Sequence, residues 1–145
     1  MEKKKVLVVE DEGIIANDIV GIVKNKGYDV EHVSSGDEAV KKANSVDLVI
    51  MDLKIRGMDG VKAGRRINEL YGIPVIYITG LAYNDPLVKE VKEVSDCVLL
   101  NKPFEDYKLL DCVKEAIGEF NKKKKLKNKK LYKGLVNPKA NSVVP

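Results

Sequence analysis

Four apolar runs of strand length each end on polar residues of a chemically demanding kind. Val6-Leu7-Val8-Val9 leads to Glu10-Asp11, Asp47-Leu48-Val49-Ile50-Met51 to Asp52, Pro74-Val75-Ile76-Tyr77-Ile78 to Thr79, and Cys97-Val98-Leu99-Leu100-Asn101 to Lys102-Pro103. Near-continuous valine, isoleucine and leucine runs suit strands covered on both faces of a parallel sheet. All strands of such a sheet point the same way, so their C-terminal residues converge on one edge, where open α/β folds bind ligands. Four segments distant in sequence are therefore expected to build one site.

Helical patterns separate the runs. Ile15, Ile19, Ile22 and Val23 share one face of a helix that Gly27 closes. A short strand is expected over Asp29 to Val33, and Ser35 with Glu38 forms a capping box for a helix over Glu38 to Asn44. Asp59-Gly60 opens a third helix with Val61, Ile67 and Leu70 inward, and Pro74 starts the fourth strand. Asp85-Pro86 pairs an N-cap with a first-turn proline for a fourth helix, striped by Leu87, Val88, Val91 and Val94. Leu109, Val113, Ile117 and Phe120 line a fifth. Five βα units with right-handed crossovers put helices on both faces of the sheet, a doubly wound α/β fold. The 145 residues are one domain's worth.

Charge divides the chain. All 22 acidic residues lie at or before Glu119, while nine of the 26 lysines and arginines lie from Lys122 onward. The body to residue 121 thus sets 17 cations against 22 acids, a net −5, and residues 122–145 carry +9. A lysine run without acids repels itself and is expected to be a solvated tail or linker. Its sharper alternative is contact with nucleic acid or an anionic membrane surface, although only Tyr132 stands near for stacking. No apolar run approaches the roughly 20 residues of a membrane span. Met1-Glu2-Lys3-Lys4-Lys5 leads into a strand without a signal-peptide core, so a cytoplasmic protein is expected. Cys97 and Cys112 lack the spacing of zinc or redox pairs and are expected to be small buried hydrophobes; His32, without a partner motif, reads as a surface residue.

The converging residues have a chemistry of their own. Three crowded carboxylates, Glu10, Asp11 and Asp52, repel unless a cation joins them, and hard oxygen ligands suit Mg²⁺ or Mn²⁺. A lysine beside a hydroxyl, Lys102 and Thr79, would hold an anionic group brought in by the metal, most naturally a phosphoryl group. A carboxylate can itself be the nucleophile that forms an aspartyl phosphate.

At these residues the chain resembles the receiver domain of two-component response regulators. The resemblance covers roughly residues 4 to 120. It is carried by Val-Val-Glu-Asp-Glu at 8–12, Ile-Met-Asp-Leu-Lys at 50–54, Gly-Met-Asp-Gly at 57–60, Ile-Thr-Gly at 78–80 and Asn-Lys-Pro-Phe at 101–104. It implies a flavodoxin-like strand order 2-1-3-4-5, a receiver domain over residues 1–121 and a basic tail or linker over 122–145. It also implies Asp52 as phosphoacceptor, Asp11 as a direct Mg²⁺ ligand, Glu10 acting on the metal mostly through water, and Lys54 lending its backbone carbonyl. Thr79 would bond the phosphoryl oxygen, and Lys102 would pair with the phosphoryl group, or with Asp52 before modification. The implied partner is a sensor histidine kinase, and the face made by helix four, strand five and helix five could form a weak homodimer. The protein would then be a phosphoacceptor that assists its own phosphorylation and dephosphorylation, not an enzyme acting on a separate substrate.

Departures from the family pattern carry consequences. Glu10 stands where many receivers have aspartate, which the metal tolerates, and Arg56 stands where proline is common, which touches loop stiffness. Leu99 occupies the place, three residues before Lys102, where receivers usually carry Tyr or Phe. A response carried mainly by backbone shifts after Thr79 is expected. Two other functions suit the residues less well. Flavin phosphate binding after the first strand is opposed by the charges of Glu10-Asp11-Glu12. An aspartate-nucleophile phosphatase would put the nucleophile after the first strand with another acid two residues on, but Gly13 stands there. A receiver of this length has no room for a winged-helix output domain, so either a free-standing relay receiver or a piece of a longer regulator is expected.

Overall fold

The computed structural model describes residues 3–93 and 98–118. Five strands, β1 (Lys5–Val9), β2 (Asp29–Val33), β3 (Leu48–Asp52), β4 (Val75–Thr79) and β5 (Val98–Asn101), form one sheet. Every pairing is parallel, in the order β2-β1-β3-β4-β5. The helices are α1 (Gly13–Asn25), α2 (Gly36–Lys42), α3 (Gly60–Tyr71), α4 (Pro86–Glu93) and α5, helical over residues 106–118. A 3₁₀ turn, Ala43–Ser45, follows α2. This is the doubly wound fold expected from the alternation of apolar runs and helical stripes.

The two-residue period of the strands sorts their side chains into two cores. Val6 and Val8 of β1, Leu48 and Ile50 of β3, and Ile76 and Ile78 of β4 pack with Ile19 and Val23 of α1 and Leu109 and Val113 of α5. The alternate residues Leu7, Val9, Val49, Met51 and Tyr77 pack with α2, α3 and α4 through Ala39, Val61, Ile67, Val88 and Val91. Each central strand is covered on both sides, so neither face tolerates a polar residue until the strand ends.

Local chemistry sets the helix starts. The Ser35 hydroxyl oxygen accepts the Glu38 N–H at 3.2 Å, and Asp59 Oδ1 accepts the Lys62 N–H at 2.9 Å. Asp85 Oδ1 accepts the Leu87 N–H at 2.9 Å, and Pro86, which has no N–H to satisfy, takes the first helical position.

Three expectations are corrected. Helix α2 begins at Gly36, directly after its cap, rather than at Glu38, and ends at Lys42, where the chain tightens into the 3₁₀ turn. Leu70 is not inward: it is 54% exposed, and the core beneath the end of α3 closes with Ile73, which follows the left-handed turn at Gly72. Cys112 is half-buried rather than buried, at the margin of the α1–α5 core. Cys97, Val94, Phe120 and residues 122–145 lie outside the described residues.

Tyr77, nearly buried in β4, reaches across the sheet face to α3. A Cβ built on Gly64 would collide with its hydroxyl and ring, so glycine is the residue that lets helix and tyrosine approach. Gly21 in α1 has open space around the same atom. Gly64→Ala should therefore destabilise the fold, since overpacking costs about 1–3 kcal/mol. Gly21→Ala should stabilise it by about 0.5–1 kcal/mol through helix propensity. Urea unfolding of the two variants checks the opposite signs.

Candidate functional site

The C-terminal ends of β1, β3, β4 and β5 bring together the residues that the sequence pattern singles out. Each strand is apolar up to its last turn of the ladder, and the polar residue follows where the sheet stops. Asp52 is the last residue of β3 and Thr79 the last of β4, while Glu10 and Lys102 stand one residue beyond β1 and β5. Glu10 and Thr79 are fully buried, and Asp52 is 5% exposed. Gly60 packs so closely under the Asp52 carbonyl and the Leu53 backbone that no Cβ fits there, which brings the start of α3 against the end of β3.

One lysine serves two carboxylates. Lys102 Nζ donates to Glu10 Oε1 at 2.9 Å and to Asp52 Oδ2 at 3.1 Å. The pairing with Glu10, the shorter of the two, was not expected from sequence, since 92 residues separate the partners. Burial and the neighbouring Asp52 carboxylate push the Glu10 carboxyl above the usual glutamate range, with Lys102 pulling the other way. Burial would by itself lower the Lys102 pKa, but the hydrogen bonds and charges of Glu10 and Asp52 outweigh it and hold the ammonium above the ordinary lysine value.

Oxygens of Glu10, Asp11 and Asp52 lie within 4.8 Å of one another. Three carboxylates against one ammonium leave an excess of negative charge, and the remaining oxygens are weakly engaged. Glu10 Oε2 has a 3.5 Å contact from the Glu12 N–H, and Asp52 Oδ1 a 3.4 Å contact from the Lys54 N–H. Both are at the long limit of a hydrogen bond. A compact set of hard, under-satisfied oxygens fits a small divalent cation such as Mg²⁺.

Thr79 links the remaining parts. Its Oγ1 accepts the Leu81 N–H at 2.9 Å, and its carbonyl accepts the Lys102 N–H at 2.7 Å. The hydroxyl proton stays available for donation, and any movement of the hydroxyl is tied to the loop after β4. Leu99 is half-buried in β5, and its register partner in β4 is Tyr77, so a large aromatic side chain stands one strand away from Leu99. His32, read from sequence as a surface residue, is exposed on β2, and its Nε2 is 2.8 Å from the Glu10 carbonyl oxygen. Its lack of any neighbouring motif concealed that contact, which β1–β2 pairing creates.

Fold and strand-end site together define a receiver-like architecture, and comparison with known proteins agrees. The sequence model of the response regulator receiver domain family matches residues 6–114, and the chain belongs to that family. It is 32% identical over 120 residues to the transcriptional regulatory protein PdtaR of Mycobacterium tuberculosis, covering 81% of this chain and 58% of PdtaR. It is 32% identical over 111 residues to the uncharacterized transcriptional regulatory protein YbdJ of Bacillus subtilis, covering 76% of this chain and 49% of YbdJ. The chain thus spans about half the length of these curated relatives. Among solved structures, a CheY-like receiver domain protein from Methanospirillum hungatei superposes with a TM-score of 0.75 at 26% identity, covering 84% of this chain and 99% of that one. The receiver domain of the sensor histidine kinase PA1611 from Pseudomonas aeruginosa, solved with a magnesium ion in its active-site cleft, gives 0.72 at 26% identity, covering 81% and 99%.

The excess charge makes a stability prediction. Asp11→Ala removes one carboxylate from the cluster and should raise the melting temperature of the metal-free protein; about 1 kcal/mol of relieved repulsion corresponds to about 4 °C. Mg²⁺ should raise the melting temperature of the parent and do so much less in Asp11→Ala. Equal Mg²⁺-induced shifts in the two proteins, read by calorimetry, would refute a ligand role for Asp11.

Proposed function

We propose that this chain is the phosphoacceptor of a two-component relay, taking a phosphoryl group from a sensor histidine kinase onto Asp52. The observation that carries the reading is the Glu10–Asp11–Asp52 cluster with Lys102 inside it and the Thr79 hydroxyl on the adjoining strand end. Lys102 engages Asp52 Oδ2, so Oδ1, with its long contact to the Lys54 N–H, is the freer oxygen to attack phosphorus. The new bond is Oδ1–P, and the bond broken is P–N of the kinase phosphohistidine, whose imidazole leaves with the electron pair. Lys102 and the Thr79 hydroxyl bind the phosphoryl oxygens and position them for the in-line displacement.

Mg²⁺, or Mn²⁺ in its place, would be held by Glu10, Asp11, Asp52 and the Lys54 backbone carbonyl, and would supply electrostatic stabilisation of the transferring phosphoryl charge. The magnesium ion in the PA1611 receiver supports this choice of ion. Phosphorylation draws the Lys102 ammonium and the Thr79 hydroxyl toward the new anion. The Thr79–Leu81 and Thr79–Lys102 hydrogen bonds pass that shift to the loop before α4 and to β5.

The face made by α4, β5 and α5 is the proposed contact surface for a weak, phosphorylation-favoured homodimer. Residues 1–121 form the receiver unit in this reading, and residues 122–145 a basic tail or linker, with nucleic acid or membrane contact by the tail the less favoured role. The site works on its own acceptor carboxylate and not as an enzyme on a separate substrate. A cytoplasmic setting suits the kinase partner; no helix among the described residues is long and apolar enough to cross a membrane.

Treatment with acetyl phosphate and Mg²⁺ should add one phosphoryl unit to the intact mass of the parent and none without the metal. Asp52→Asn should abolish the addition. A variant lacking Asp52 that still gains the unit would sink the assignment.

A further inference from the structure

The backbone of Glu10 is held from the neighbouring strand at both of its polar groups. The Val33 carbonyl accepts the Glu10 N–H at 3.2 Å, and His32 Nε2 lies 2.8 Å from the Glu10 carbonyl oxygen. A carbonyl oxygen accepts only, so the ring donates from Nε2. His32 is the only histidine in the chain, and it sits on the edge strand β2, in register with Val8, with its ring exposed. Burial does not demand histidine there, because an exposed edge position accepts many residue types. What the ring reaches is specific. Glu10 is the first residue past β1, where the ladder ends and the chain turns into the loop carrying Asp11 and Glu12.

We propose that His32 is a positioning residue for the acidic pair. By donating to the Glu10 carbonyl, it fixes the direction in which Glu10 and Asp11 leave the end of β1, and with it the spacing of the carboxylates that take the divalent ion. The inference rests on the reading of the site as a metal-dependent phosphoacceptor. It requires a donor at that place, not a charge. Val33 anchors the N–H side of Glu10 through the backbone and would do so with any side chain. The carbonyl side depends on residue 32, so this is where sequence, rather than sheet geometry alone, sets the direction of the loop. The exposed ring adds little to the core, and its loss is expected at the loop and in ion affinity rather than in folding.

The test is Mg²⁺ titration of the full chain followed by backbone amide shifts, in the parent, His32→Ala and His32→Gln. Glutamine carries an amide N–H at about the reach of Nε2 and accepts the same role. His32→Ala should raise the Mg²⁺ dissociation constant about three- to tenfold, the range that one modest net hydrogen bond supports. Amide hydrogen exchange at Glu10 should quicken, while the metal-free melting temperature stays within about 2 °C. His32→Gln should restore both the affinity and the protection. An unchanged dissociation constant in His32→Ala, with or without a lower melting temperature, overturns the proposal. So does a glutamine variant as weak as the alanine one, since the ring and not its donor would then matter. A parent that binds no Mg²⁺ would overturn the underlying reading of the site, an outcome distinct from a parent and alanine variant that bind it equally.

Discussion

The ammonium of Lys102 between the carboxylates of Glu10 and Asp52 is the contact around which the site is organised. Two buried acids at the end of a sheet are costly to ionise, and one lysine offsets part of that cost without cancelling it. In the proposed reading, the remainder is what makes the edge receptive to a divalent ion and, through the ion, to a phosphoryl group. A fully neutralised cluster would be more stable and chemically idle. On that reading, charge left over in the folded state is a functional property, consistent with the general observation that sites built for chemistry forgo some stability.

The sheet makes that arrangement possible. Parallel pairing in the order β2-β1-β3-β4-β5 places the ends of β1, β3 and β4 side by side, with β5 next, so residues from four segments meet without any long excursion of the chain. The two apolar cores hold each central strand from both faces, and the close packing of Gly60 under the Asp52 backbone holds β3 from beyond its end. Precision at the carboxylates thus derives from packing several residues away. The hydrogen bonds of Thr79 to Leu81 and Lys102 tie the strand-end site to the loop after β4 and to β5.

Much of this was legible in the sequence because the strands are short, apolar and punctuated. Asp52 and Thr79 could be placed at strand ends from the residue types alone, and the caps at Ser35, Asp59 and Asp85 mark helix starts through local chemistry that needs no tertiary information. Contacts set by the sheet were not legible. The Glu10–Lys102 pair spans 92 residues, and the bond between His32 and the Glu10 carbonyl appears only once β1 and β2 are in register. Leu70 misled for a related reason: helical periodicity says which side of α3 it occupies but not where the core ends, and the turn at Gly72 brings Ile73 into the core instead. The substitution of Leu99 for an aromatic was visible in sequence, whereas the buried Tyr77 beside it became meaningful only through the β4–β5 register.

If uncompensated negative charge governs the site, Lys102 and the divalent ion compete for the same carboxylates, and removing the lysine's charge should strengthen ion binding. Calorimetric titration of Mg²⁺ into folded parent and Lys102→Met measures this directly. The account predicts a lower Mg²⁺ dissociation constant in the variant, because the ion then meets Glu10, Asp11 and Asp52 without a resident cation. A dissociation constant that is unchanged or higher would contradict it, and would mean that the lysine orders the carboxylates for the ion rather than competing with it.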